Sequence, residues 1–163
     1  MSELVVRPLL PEDAAAARGV LADAFRGTPY LRRADEVLES ALRFEDPEYL
    51  CLLAEATESQ RPVGLVLFGT IVGAKLAAKV HFVTSADPRV MLALLAAVRE
   101  TCERSGERLV VCEIPRDVPF DVAAVALVAS GYREEGRIED FVRDGVALRV
   151  MVWRPDRRDG DAC

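Results

Sequence analysis

Apolar residues along this chain recur with two periods, and the order in which those periods alternate predicts the elements. Leu4 to Arg7 reads as a strand, and Glu12 to Phe25, alanine-rich and opened by Pro11, reads as a helix. Arg33 to Phe44 is a second helix, with Val37, Ala41 and Phe44 spaced for one buried face. Tyr49 to Glu55 and Pro62 to Val72 then form two strands, a hairpin across the polar turn Ala56 to Arg61. Leu76 to Thr84 is the fourth strand. Its helix runs from Pro88 to Arg104, keeps Val90, Leu94, Val98 and Cys102 on one face, and stops before Ser105-Gly106. Arg108 to Ile114 is almost continuously apolar, a pattern suited to the middle of a sheet. Pro119 to Ser130 is a last helix ending at Gly131, and Arg137 to Val142 pairs with Val146 to Trp153 across Asp144-Gly145.

Composition narrows the classes this pattern serves. At 163 residues and 51% hydrophobic content, the chain suits one domain over residues 1–154, with residues 155–163 a charged, disordered tail. A net charge of -6, from 21 basic and 27 acidic side chains, disfavours nucleic acid and anionic membrane as partners but tolerates an amine-bearing substrate. No apolar run approaches the roughly 20 residues of a membrane span. Met1-Ser2-Glu3 lacks a signal-peptide pattern, so the expected location is the cytoplasm, in a chain bacterial in style. Cys51, Cys102 and Cys112 sit in apolar segments, Cys163 ends the tail, and no CxxC pair exists; reduced thiols are expected, not a disulfide framework. With His81 the single histidine, no metal site is expected.

Candidate chemistry gathers around the fourth and fifth strands. A strand that ends at a helix N-terminus aims free N–H groups and a partial positive charge at whatever lies in front of it. The turn here is Ser85-Ala86-Asp87-Pro88-Arg89-Val90-Met91, and it contains no glycine to let a diphosphate approach the backbone. Asp87 is instead a favoured helix cap and Pro88 a favoured first residue. A carboxylate there occupies the orphan N–H groups and repels an anion, while Arg89 either offsets that repulsion or is a solvated helix residue. His81 is either a general base, with a pKa suited to the task, or a hydrogen-bonded strand histidine. Glu113 ends an apolar strand and so demands a partner, solvent or a function. Under regular alternation His81 and Val83 share one face, as do Val111 and Glu113. Nucleophilic arrangements pairing His81 with Ser85 or Cys112 are disfavoured, Gly69 to Gly73 is too sparse in glycine for a dinucleotide fingerprint, and the scattered basic residues lack an aromatic stacking set.

Several segments carry a resemblance in order along the chain: Val5-Val6-Arg7-Pro8 with Pro11-Glu12-Asp13, then Arg108 to Glu113, Ala129-Ser-Gly-Tyr-Arg-Glu-Glu135, Arg137-Ile-Glu-Asp-Phe141, and Asp144-Gly145 before an apolar strand. Through them nearly the whole chain resembles the GNAT superfamily of N-acetyltransferases. The resemblance implies an α/β (α+β) fold: a mixed, mostly antiparallel sheet of six to seven strands, splayed between the fourth and fifth, flanked by about four helices. It also implies acetyl-CoA as cosubstrate along the fourth strand and direct attack by a primary amine of a small molecule or peptide. The cofactor-binding residues would be Val83, Thr84 and Ser85 at the thioester and Arg89, Val90 and Met91 at the diphosphate, with His81 and Glu113 handling the proton. The segment Gly27 to Arg33 would line the acceptor side. The chain departs from the family pattern at the glycine-free turn, at Leu127 where a tyrosine often protonates the leaving thiolate, and at Val142 where a tyrosine often follows Asp-Phe. Two readings follow: an acetyl-CoA-dependent N-acetyltransferase with an atypical phosphate site, or a catalytically inactive GNAT-fold binding protein. A homodimer or a heteromeric partner suits either.

Overall fold

The computed structural model describes residues 3–43 and 49–155. Phe44, expected on the second helix, and all of the expected tail except Pro155 lie outside them. Seven strands form one sheet: β1 (Leu4–Pro8), β2 (Leu50–Ala56), β3 (Arg61–Thr70), β4 (Ala77–Ser85), β5 (Leu109–Pro115), β6 (Arg133–Arg143) and β7 (Val146–Trp153). Their spatial order is β1-β2-β3-β4-β5-β7-β6. β4 and β5 run parallel and the other neighbours antiparallel. The parallel pair needs a long crossover, supplied by the helix between them.

Four helices cover the sheet: α1 (Ala14–Phe25), α2 (Leu31–Leu42), α3 (Pro88–Arg104) and α4 (Asp121–Ala129). α1 buries Ala17, Leu21 and Phe25, spaced one turn apart, and α2 buries Ala34, Val37, Leu38 and Ala41. These meet Leu53, Leu65, Leu67 and Phe82 on one face of the sheet. On the other face α3 and α4 enclose Val66, Phe68, Val80, Val83 and Cys112. β3 therefore feeds both cores, Leu65 and Leu67 to one and Val66 and Phe68 to the other, which is why it reads as a continuous apolar run. Gly106, at φ +75, supplies the left-handed residue that ends α3.

Boundaries fall within two residues of expectation except at the start of β6, and the last helix opens differently. β6 begins at Arg133, four residues before the expected Arg137, because it is an edge strand whose side chains are mostly exposed and charged. Its apolar signal is therefore weak. The start of the last helix, Val118–Phe120, is a 3-10 turn capped by Asp117, whose carboxylate accepts from the Val118 N–H at 3.0 Å. Among the described residues no helix is long and apolar enough to cross a membrane.

Candidate functional site

The site begins where the sheet comes apart. Pairing between β4 and β5 runs from Ala77 opposite Leu109 to Val80 opposite Cys112, while the strands themselves continue to Ser85 and Pro115. On the other side of β4, Leu67 stands opposite Phe82 and Phe68 opposite Val80, so His81 is the extra residue of a β-bulge. The bulge changes which way the side chains face. Val80 and Val83 join the α3/α4 core, Phe82 joins the α1/α2 core, and His81 lies beside Phe82 on the α1/α2 side. Regular alternation therefore fails: His81 and Val83 lie on opposite faces, and His81 comes to the face of Glu113 instead.

Three cavities follow the splay. A small one of about 10 Å³, bordered by His81, Val83, Glu113, Ile114 and Phe120, sits in the gap itself. It shares His81, Phe82, Glu113 and Phe120 with an opening of about 270 Å³ on the α2 side. It shares Val83 with an opening of about 440 Å³ at the far end of β4, where Thr84, Ser85, Asp87, Met91, Val63 and Val122 contribute walls. Tyr30 and Arg33, from the segment expected to line an acceptor site, do border the α2-side opening.

Charge on the α2 side is organised by pairs. Lys79 Nζ donates to Glu113 Oε2 at 2.6 Å, bridging β4 to β5 at the last paired rungs. Burial, then the positive charges of Lys79 and Arg33, push the His81 imidazole down to about 4, so the ring is neutral at ordinary pH. The Tyr49 ring packs against it with centroids 5.0 Å apart. Over the outer rim, the Tyr30 hydroxyl donates to Asp117 Oδ2 at 2.7 Å and Arg143 Nη2 donates to the same oxygen at 2.8 Å. Burial and that carboxylate push the Tyr30 hydroxyl up to about 12. This clasp ties the α1–α2 loop, the β5–α4 loop and the β6–β7 hairpin together. Sequence reasoning missed Lys79, Asp117 and Arg143. For Lys79 a signal existed, a lysine two residues before His81 in an apolar strand; for the clasp none did, since its members are far apart in sequence.

The turn at the end of β4 is closed by its own atoms. Ser85 Oγ donates to Val63 O at 2.7 Å and accepts from Asp87 N at 3.1 Å. Asp87 Oδ1 accepts from Arg89 N at 2.9 Å, and the Asp87 carbonyl accepts from Val90 N and Met91 N at 3.1 and 3.3 Å. Arg89 folds back on Asp87, Nη2 to Oδ2 at 2.6 Å, and holds that carboxyl below the usual aspartate range. It thus neutralises the cap while staying largely exposed to solvent. Gly64 makes this closeness possible: a Cβ there would stand 2.7 Å from Val90 Cγ1 and 2.9 Å from Thr84 O. Leu127, fully buried in the α3/α4 core, offers no proton.

A diphosphate does not fit this turn. The N–H groups of Arg89, Val90 and Met91 are already bonded, and Asp23 and Asp87 border the opening. Apolar walls are nevertheless present in the same opening, from Val63, Val83, Val122 and Pro119. Among the described residues no group of three or more His, Cys, Asp or Glu side chains could hold a metal ion.

No family model matches the sequence, and no curated protein matches it either. Solved structures do match. A GNAT-family protein from Desulfovibrio desulfuricans superposes with a TM-score of 0.80 at 21% identity, over 93% of this chain and 99% of that one. The ribosomal-protein-S18-alanine N-acetyltransferase of Escherichia coli gives 0.73 at 12% identity over 93% and 94%. The spermidine/spermine N-acetyltransferase of Vibrio cholerae gives 0.68 at 14% over 93% and 95%. Sheet order, the parallel β4–β5 pair and these superpositions together establish that the chain has the fold of the GNAT N-acetyltransferases.

Proposed function

We propose that the protein is an N-acetyltransferase that moves an acetyl group from acetyl-CoA to a primary amine of a small molecule or peptide by direct attack. One observation carries the proposal: the β4–β5 ladder stops at Val80 and Cys112, and openings on both sides meet at a gap bordered by His81 and Glu113. Donor and acceptor could therefore approach from opposite sides without a covalent intermediate on the protein. The names of the Escherichia coli and Vibrio cholerae neighbours, for a ribosomal-protein alanine and for spermidine, support both kinds of acceptor.

When bound, acetyl-CoA supplies an acetyl group activated as a thioester. Everything else falls to the chain. The backbone of Val83, Thr84 and Ser85 lies along the donor opening, where an N–H would stabilise developing negative charge on the acetyl oxygen. Glu113 receives the ammonium form of the acceptor and water takes its first proton. Burial makes His81 a weaker base than the expected near-neutral imidazole, so it accepts the second proton only as attack on the thioester makes the nitrogen acidic, and a water protonates the departing thiolate. Phe82 and Phe120 keep water from the gap. Val83, Pro119 and Val122 would hold the donor by its arm, without the closed turn taking its diphosphate.

That closed turn favours a second reading, a GNAT-fold binding protein without catalysis. Calorimetric titration with acetyl-CoA, desulfo-CoA and adenosine 3',5'-bisphosphate separates the two. Micromolar acetyl-CoA binding with little contribution from the bisphosphate supports arm-held donor binding. No binding at millimolar acetyl-CoA overturns the transferase reading.

A further inference from the structure

The α2-side opening has a charge order that specifies its guest; the inference rests on the acetyltransferase reading for the direction in which the amine faces. Arg33 from α2, Lys79 from β4 and Glu113 from β5 all border it, so two cations flank one carboxylate. Glu113 is already bonded to Lys79. A polyamine would need carboxylates to match its several positive charges, and among the described residues Glu113 is the one carboxylate that lines this opening. Arg33 is 73% exposed and, among the described residues, its one ion pair is a 3.5 Å contact with Glu36, so its guanidinium is able to turn inward. The rest of the wall is apolar, with Phe25, Phe82, Phe120, Phe141 and Leu148 prominent. At about 270 Å³ the space is below the roughly 300–1,000 Å³ that holds drug-sized ligands.

We infer that the acceptor is a small zwitterion of the α-amino acid type with a large apolar side chain. Its carboxylate meets Arg33 and Lys79, its ammonium meets Glu113 at the gap, and its side chain lies on the aromatic wall. A peptide N-terminus, which lacks the neighbouring carboxylate, and a polyamine, which is all cation, both fit this arrangement less well.

His81 is the single histidine of the chain and borders this opening, so its ring resonances report binding directly. The test is an NMR titration of those resonances with L-phenylalanine, phenethylamine, 3-phenylpropanoate and spermidine, in the unaltered protein and in Arg33→Gln. L-Phenylalanine is expected to bind most tightly and to weaken about tenfold in Arg33→Gln, with phenethylamine unchanged by the substitution. Phenethylamine or spermidine binding as tightly as L-phenylalanine overturns the inference, as does no shift with L-phenylalanine at tens of millimolar. Acetyl transfer is measured separately with acetyl-CoA. L-Phenylalanine that binds but is never acetylated leaves the pocket assignment standing and sinks the transferase reading. Acetylation of phenethylamine without L-phenylalanine binding does the reverse.

Discussion

The two sides of the splayed sheet use charge in opposite ways. On the α2 side, His81, Lys79, Glu113 and Arg33 stand around a cavity in which each faces open space as well as a neighbour. At the β4–α3 turn, Ser85, Asp87 and Arg89 bond to one another and to the backbone, leaving little capacity for a guest. The same fold thus leaves the charged groups of one half open to a ligand and uses up those of the other, whose opening offers mainly apolar wall. A helix N-terminus is an anion site only while its N–H groups are free, and here the capping carboxylate takes one and the residue-87 carbonyl two more.

The strongest way to break the contrast is to remove the groups facing the gap. His81→Ala and Glu113→Gln should each lower kcat roughly 100-fold to 1,000-fold, with unfolding midpoints close to the unaltered protein. A fall in stability matching the fall in rate would reassign both residues to structure. Next in size is Gly64→Ala. The added methyl would meet Val90 Cγ1 at 2.7 Å and, less yieldingly, the Thr84 carbonyl at 2.9 Å. Urea denaturation should show a loss of about 2 kcal/mol. An unchanged midpoint would mean that the turn is not tightly packed against β3.

Asp87→Ala sharpens the comparison from the other side. It frees the Arg89 N–H and releases the Arg89 guanidinium, while the Val90 and Met91 N–H groups keep their bonds to the residue-87 carbonyl. Binding of adenosine 3',5'-bisphosphate should tighten about tenfold by calorimetry, at the cost of a slightly lower Tm. If the bisphosphate binds no better, the carboxylate is not what closes the turn.

How much of this was legible beforehand depends on how local each cause is. The Asp87 cap is a property of adjacent residues, and it is present as read, with the helix starting at Pro88 and ending at Arg104. β5 reads as central and lies between β4 and β7, with Val110, Cys112 and Ile114 buried on one face and Glu113 exposed on the other. The bulge at His81 leaves no such mark: Val80-His81-Phe82 contains neither glycine nor proline, and only the register against Leu67 and Phe68 reveals it. With the bulge unseen, His81 is assigned to the wrong face. Tyr30 and Asp117, 87 residues apart, meet only because β5 returns beside the α1–α2 loop. Lys79 is visible as a residue, but its pairing with Glu113 needs the parallel register of β4 and β5.

The smallest effect separates the two sides by acid alone. His81 titrates near 6.5 when unfolded and near 4 when folded. Between those values the unfolded chain binds more protons, so stability falls as pH drops through that window. Asp87 behaves differently. Its carboxyl, lowered by Arg89 from an ordinary value of 3.8, stabilises the fold above that pH and loses its contribution only below it. Tm measured from pH 7 to pH 3 should therefore decline in two stages. His81→Gln should flatten the first and spare the second. Asp87→Asn should spare the first and shrink the second, to which Asp13, Asp117 and Glu135, held low by Arg7, by Tyr30 and Arg143, and by Arg154, also contribute. A single decline in both variants would mean that neither group is coupled to folding, and the contrast between an open half and a sealed half would then rest on geometry alone.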